Sequence, residues 1–383
     1  MITFNTFKLL NSLNLTLKEK GLSQPTDIQK QLIPKILEGQ SVVGVAETGS
    51  GKTLAYALPI LHILKNREND KDPVIVSAHP RALIIVPTRE LGEQVSKVFK
   101  LFTHTTRLRV RSVLGGSTLE VAKKNVAGPF EILVATPGRL LKLAERGLVN
   151  FSDVQILVYD EVDQMLDHGF LPDAKRIASQ CPHSKQMLLL SATVSPAVES
   201  LMNQVFSGAE FVRSEAAYKI PQSLVTIHRE IKDGKRLPIL EKVLKEKCEG
   251  GTLIFANTRE QCDKLELELT KLNLKCALYR GEMDKQLRRN NLKAFRDGSI
   301  GYLISTDLAS RGLDVEHVNR VINYHLPQEI ENYIHRAGRT ARAGRKGTVI
   351  NFVTERDAPL IRELSRMNAA PPLSFAGKKP RSY

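Results

Sequence analysis

Short runs of Val, Ile and Leu recur along the chain, each followed by a longer segment whose apolar residues return at helical spacing. Val42 to Val45, Ala82 to Val86, Ile132 to Ala135, Gln155 to Tyr159 and Met187 to Leu190 make a first series. Thr252 to Ala256, Cys276 to Leu278, Tyr302 to Ser305, Arg320 to Asn323 and Thr348 to Val353 make a second. A run that is apolar at consecutive positions reads as a strand buried on both faces, and its alternation with helices places it in a parallel sheet. Because the series stops and restarts, the pattern predicts an α/β chain of two tandem domains, each a mostly parallel sheet with helices on both faces. Periodicity is weak between the series, where Gly208 and Pro221 stand. The predicted organisation is a first domain over 1–209, a linker over 210–222, a second domain over 223–370 and a short basic tail over 371–383.

Length agrees with that division, since 383 residues exceed what one hydrophobic core usually fills. The 56 Lys and Arg outweigh the 41 Asp and Glu to give a net charge of +15, which suits a polyanionic partner such as nucleic acid. A basic surface with no such partner fits the charge equally well, so the motifs must decide. Cys181, Cys248, Cys262 and Cys276 form no paired C-x-x-C element of a zinc site and read as reduced thiols. No window approaches the apolar length of about 18 residues that a membrane span needs, and Met1 to Leu10 lacks the apolar run of a signal peptide. The expectation is a cytoplasmic protein without a membrane partner.

Ala46, Glu47, Thr48, Gly49, Ser50, Gly51, Lys52 and Thr53 fit the Walker A pattern, directly after a predicted strand and at the start of a predicted helix. Gly49 and Gly51 let the backbone turn so that successive N–H groups and the helix N-terminus face phosphate oxygens. Lys52 then reaches the β and γ phosphates, and the Thr53 hydroxyl can ligate Mg²⁺. A second element, Ile156 to Glu161, is an apolar strand that ends in two carboxylates. Asp160 is the candidate for holding Mg²⁺ through water, and Glu161 the candidate for polarising the attacking water. An acidic pair at a strand end is common; beside a phosphate loop it becomes a hydrolytic site.

Asp160, Glu161, Val162 and Asp163 resemble the Asp-Glu-Ala-Asp signature of the DEAD-box family of ATP-dependent RNA helicases. The resemblance runs through nearly the whole chain as an ordered series of motifs, and it implies two tandem RecA-like domains. Gly21 to Gln29 resembles the Q motif, with Phe4 at the aromatic position seventeen residues before Gly21. In that family the glutamine, here Gln29, reads the adenine edge and the aromatic stacks on the base, so the implied nucleotide is ATP. Pro87, Thr88 and Arg89, then Gly115 and Gly116, then Thr136, Pro137, Gly138 and Arg139 resemble the motifs that grip single-stranded RNA. Small hydroxyls, backbone amides and arginines suit a sugar-phosphate backbone and read no base edges. Ser191, Ala192 and Thr193, together with Asp163 and His335, stand where the family couples the ATP site to strand separation. In the second half, Ser305 to Asp314 resembles motif V and His335 to Arg342 motif VI. By resemblance Thr306 contacts RNA, Gly312 and Asp314 the nucleotide, and Arg339 and Arg342 the γ-phosphate as arginine fingers. A guanidinium fork suits the charge that spreads over the γ-phosphoryl oxygens in the transition state.

The pattern departs from the family at a few positions. Val162 replaces alanine, which adds methyl groups that neighbouring residues must accommodate. Ala337 and Ala341 replace other small or apolar residues of motif VI. Arg288 stands at an RNA-contacting arginine, but Lys285 occupies the place of its partner glutamine. The leading expectation is an RNA helicase that remodels short duplexes with little sequence preference, acting on single strands and short duplexes as a monomer, with ribosome-assembly or RNA-decay partners. An ATP-gated RNA clamp with weak unwinding is the alternative, and the Q motif argues against a DNA translocase on the same scaffold.

Overall fold

The structure is a computed structural model that describes residues 2–369 apart from residues 48, 117, 168, 195, 207, 215–222, 281–282, 308–314, 316 and 342–345. The expected tail at 371–383 lies outside the described residues, as does most of the expected linker. The chain divides into two compact units, one built on strands β1 to β7 and the other on β8 to β13.

The strands of the first unit are β1 (Val42–Val45), β2 (Ala82–Ile85), β3 (Val110–Val113), β4 (Ile132–Ala135), β5 (Ile156–Tyr159), β6 (Gln186–Ser191) and β7 (Glu210–Arg213). They lie in the order β3-β4-β2-β5-β6-β1-β7, and every pairing between them is parallel. β1, β2, β4 and β5 are buried at every position, as their unbroken apolar runs predict. The helix Lys52–Asn69 carries nine buried residues, among them Ala55, Tyr56, Leu58, Ile60, Leu61 and Leu64, and so lies within the first core. The helix Asp27–Leu37 packs beside it and starts at a capping box formed by Thr26 and Gln29.

The second unit comprises β8 (Leu224–Glu230), β9 (Gly251–Phe255), β10 (Cys276–Tyr279), β11 (Tyr302–Ser305), β12 (Val318–Asn323) and β13 (Gly347–Val353). Their order is β10-β11-β9-β12-β13-β8, again all parallel. Both units thus have the expected α/β architecture.

Three strands went unread in the hydrophobic pattern, namely β3, β7 and β8, and each stands at a sheet edge. β7 falls in the stretch expected to be linker, yet it pairs residue by residue with β1, from Val42 with Glu210 to Val45 with Arg213. The first sheet therefore extends beyond residue 209. In a parallel sheet all strands point the same way, so the loops that follow them gather along one edge, where such sheets bind ligands.

Candidate nucleotide site and nucleic-acid face

The order of strands in the first sheet sorts the candidate loops into two neighbourhoods. β3, β4 and β2, adjacent at one end, lead into Gly115 and Gly116, into Thr136 to Arg139, and into Pro87 to Arg89. β5, β6 and β1, the next three, lead into Asp160 to Asp163, Ser191 to Thr193 and the phosphate loop. These loops are scattered along the chain; the topology separates those suited to nucleic acid from those suited to nucleotide.

In the phosphate loop, Gly49 and Gly51 adopt φ of 88° and 91°, a left-handed backbone that side chains disfavour. A Cβ on Gly51 would also run into the Gln29 amide. That amide joins the Q motif to the loop: Gln29 Nε2 donates to the Gly51 carbonyl at 3.0 Å, and its Oε1 accepts from the Thr26 N–H at 2.9 Å. A primary amide has a second proton and a second lone pair, so these two bonds do not exhaust the hydrogen-bonding capacity of Gln29. Lys52 is buried at the start of its helix, and its ammonium donates to the carbonyls of Ala46 at 2.5 Å and Glu47 at 2.9 Å. Ser50 Oγ donates to the Glu47 carbonyl at 2.7 Å. Burial raises the Glu47 carboxyl above its usual range, against the pull of Lys52.

Asp160 leaves β5 with only 2 % of its surface exposed. The Tyr56 hydroxyl donates to its Oδ2 at 2.7 Å and the Glu161 N–H to its Oδ1 at 3.0 Å. Burial, reinforced by the charge of Glu161, lifts the Asp160 pKa to about 6. Glu161 itself has φ of 50°, in the left-handed region, a strain on the order of 1–3 kcal/mol that clusters at functional sites. Its Oε2 accepts from Gln164 Nε2, on the short helix Val162–Asp167 that follows. Val162 is fully buried, so its extra methyl groups are packed into the core. The Thr53 hydroxyl and the Asp160 carboxylate are hard oxygen donors, and among the described residues no group of three or more acidic or imidazole ligands forms a closed cage. Few protein oxygens, with the rest of the shell left to phosphate and water, fit Mg²⁺.

Asp163 ties this centre to the next loop. Its Oδ2 accepts from the Ala192 N–H at 3.1 Å, the Thr193 N–H at 3.0 Å and the Thr193 hydroxyl at 3.0 Å. Ser191 Oγ donates to the Thr193 carbonyl at 2.7 Å, and the Ser191 carbonyl accepts from the Ala46 N–H at 3.1 Å. The phosphate loop, the acidic motif and the Ser191–Thr193 loop are thereby one hydrogen-bonded body.

On the other neighbourhood, Thr88 and Thr136 stand at the N-caps of the helices Arg89–Lys100 and Pro137–Ala144. Thr88 Oγ1 accepts from the Leu91 N–H at 3.3 Å, and Thr136 Oγ1 from the Gly115 N–H at 3.0 Å. Arg89 pairs with Glu93 at 2.8 Å, and Arg139 and Gly138 are half-buried in the first turn of their helix. Helix starts of this kind orient N–H groups for backbone phosphates.

Phe4 lies in the short helix Phe4–Phe7, ahead of the Q motif. Its ring is 4 % exposed, packed into the first core and edge-on to Phe7 at 6.2 Å. In this structure the ring helps to anchor the N-terminal segment to the first core. Sequence reasoning also passed over Tyr56 and Gln164, because polar residues on a buried helix face look like core until their partners are known.

In the second unit, His335 and Arg339 are buried around the end of the helix Ile330–Ala337, and Arg339 Nε donates to the His335 carbonyl at 3.1 Å. Arg336, between them, is the hub that the sequence did not reveal. Its guanidinium donates to Asp307 at 2.5 and 2.7 Å, Asn323 at 3.0 Å, the His325 carbonyl at 2.6 Å and Asn257 at 2.9 Å, and lies 4.9 Å from the Phe255 ring centre. It thus fastens the ends of β9, β11 and β12 behind motif VI. Thr306 follows β11, its carbonyl accepting from Ser305 Oγ at 3.0 Å. Arg288 sits over the Tyr279 ring at 5.7 Å. Thr48, Gly312, Asp314 and Arg342 lie outside the described residues, as does the Lys285 side chain.

Residues 26–201 match the model of the DEAD/DEAH box helicase family, and residues 235–344 that of the helicase conserved C-terminal domain. Among curated relatives, the DEAD-box ATP-dependent RNA helicase RhpA of Helicobacter pylori is 35 % identical over 366 residues, covering 95 % of this chain and 72 % of RhpA. The ATP-dependent RNA helicase DeaD of Buchnera aphidicola is 35 % identical over 95 % of this chain and 59 % of its own length. Among solved structures, S. cerevisiae Dbp5 bound to RNA and ADP BeF3 superposes with a TM-score of 0.85 at 26 % identity, over 96 % of this chain and 93 % of that one.

Proposed function

The chain belongs to the DEAD-box family of ATP-dependent RNA helicases, and from that premise we propose that it pries apart short RNA duplexes locally, with little sequence preference, by closing its two units over ATP. It binds RNA and hydrolyses ATP. The finer reading assigns the steps to residues. Gln29 recognises adenine with the proton and lone pair that its fixed hydrogen bonds leave over. Lys52 exchanges its contacts with Ala46 and Glu47 for the β and γ phosphates. Thr53 and Asp160 hold Mg²⁺, which when bound neutralises charge on the phosphates. Glu161, aimed by its left-handed backbone, polarises the attacking water. Arg339 and Arg342 approach the γ-phosphoryl group from the second unit, so turnover requires closure.

RNA lies on the loops after β2, β3 and β4 and on Thr306 and Arg288 of the second unit, contacted through its backbone. The observation that carries the coupling is the Asp163 clasp: one carboxylate oxygen of the acidic motif holds three donors of Ala192 and Thr193. Displacement at the γ-phosphate therefore reaches a loop two strands from the RNA side. RNA-stimulated ATPase and release of a short labelled duplex test the reading together. The expected result is stimulation by RNA with strand release. Stimulation without release would make the protein a clamp, and equal stimulation by single-stranded DNA would remove the RNA preference.

A further inference from the structure

We propose that Tyr56 is a positioning residue of the metal site, holding the Asp160 carboxylate in the orientation that receives the hydrated magnesium ion. The inference rests on the reading of Asp160 and Thr53 as the metal's protein ligands.

Tyr56 lies on the helix Lys52–Asn69, three residues beyond Thr53 and therefore on the same face. Its ring is fully buried and set against Phe99 at 6.2 Å, so the hydroxyl has a fixed position. A hydroxyl buried this deeply needs a partner. It has one in Asp160 Oδ2 at 2.7 Å. One phenolic group thus touches a proposed ligand from the helix that carries the other, Thr53.

A carboxylate held by a single donor turns about its Cβ–Cγ bond; two donors on opposite oxygens stop it. Here the backbone N–H of Glu161 holds Oδ1 and Tyr56 holds Oδ2. Each oxygen retains a lone pair for metal-bound water. Without the phenol, Oδ2 would be buried with no side-chain donor, and only the Glu161 N–H would hold the carboxylate. The carboxylate would then be free to turn about its Cβ–Cγ bond. Phenylalanine would fill the same volume beside Phe99 but could not set that orientation.

The test measures binding of a fluorescent ADP to the full chain while magnesium is titrated from an EDTA baseline. In the wild type, affinity rises with magnesium. Tyr56→Phe should raise the half-saturating magnesium concentration about tenfold, the scale of one hydrogen bond to a charged group, and leave affinity in EDTA unchanged. In an Asp160→Asn background the same substitution should add no further shift. A magnesium dependence identical to wild type would overturn the proposal. So would an equal loss of affinity with and without magnesium, which would make Tyr56 a packing residue of the pocket. If wild-type affinity ignores magnesium, the metal reading itself fails, and this inference falls with it.

Discussion

Asp160 is an ionisable group in a place that resists ionisation. Its pKa is about 6 in the folded chain against 3.8 for a free aspartate, chiefly through burial. Below pH 3.8 the group is protonated whether folded or not, and the chain bears no penalty; the penalty grows as pH rises through this window and is complete above about 6. Asp160→Asn should therefore stabilise the first unit at pH 7.5 in EDTA by about 2–3 kcal/mol, the size of a shift of about two units. Urea unfolding at several pH values checks this, and a gain that persists undiminished at pH 4 would count against it. The neighbouring Glu161→Gln should keep nucleotide and RNA binding while nearly abolishing hydrolysis; normal turnover would remove Glu161 from its role. Both carboxylates were legible in the sequence, because an acidic pair at the end of an apolar strand stands out once a phosphate loop is found beside it. Tyr56 and Arg336 were not, since their meaning lies in partners such as Asp160 and Asn257, far away in the chain.

Among elements, the same contrast has a physical cause. β1, β2, β4 and β5 lie inside the first sheet, covered on both faces, and every side chain must be apolar or small; hence their unbroken runs. β3, β7 and β8 close the sheet edges and leave many side chains in water, so Arg111, Glu210 and Glu230 interrupt the pattern. An edge strand of four residues such as β7 resembles a linker for that reason. The elements that carry chemistry are instead joined by polar clasps, and the Asp163 clasp offers a prediction at this scale. Asp163→Ala strands the Ala192 and Thr193 N–H groups in a buried site, each unmade bond costing about 1–3 kcal/mol. Thr193→Val removes one hydroxyl donor and leaves both backbone bonds. The expected order is a large loss of stability and of duplex release for the first variant and a small loss of stability for the second, read by thermal melting beside strand release. Equal effects would mean that the carboxylate does not organise the loop.

At the scale of the whole molecule, the proposed mechanism divides one reaction between the two units. Lys52, Asp160 and Glu161 belong to the first, Arg339 to the second. If hydrolysis requires both, and if ATP and RNA each touch both units as proposed, the two ligands must favour the same closed arrangement. Two ligands that favour one state strengthen each other's binding by a common factor, typically about 5–150-fold. Affinity for RNA measured with and without a non-hydrolysable ATP analogue should therefore rise within that range, and affinity for the analogue should rise by the same factor with RNA present. Arg339→Ala removes the contact through which the γ-phosphate would recruit the second unit. It should bring the coupling factor close to one while leaving each ligand's separate affinity nearly intact, and lower RNA-stimulated turnover on the order of 10³-fold. Retained coupling with lost turnover would confine Arg339 to the chemical step and leave closure to other contacts. Loss of both together would make a single guanidinium the point where nucleotide state becomes grip on RNA.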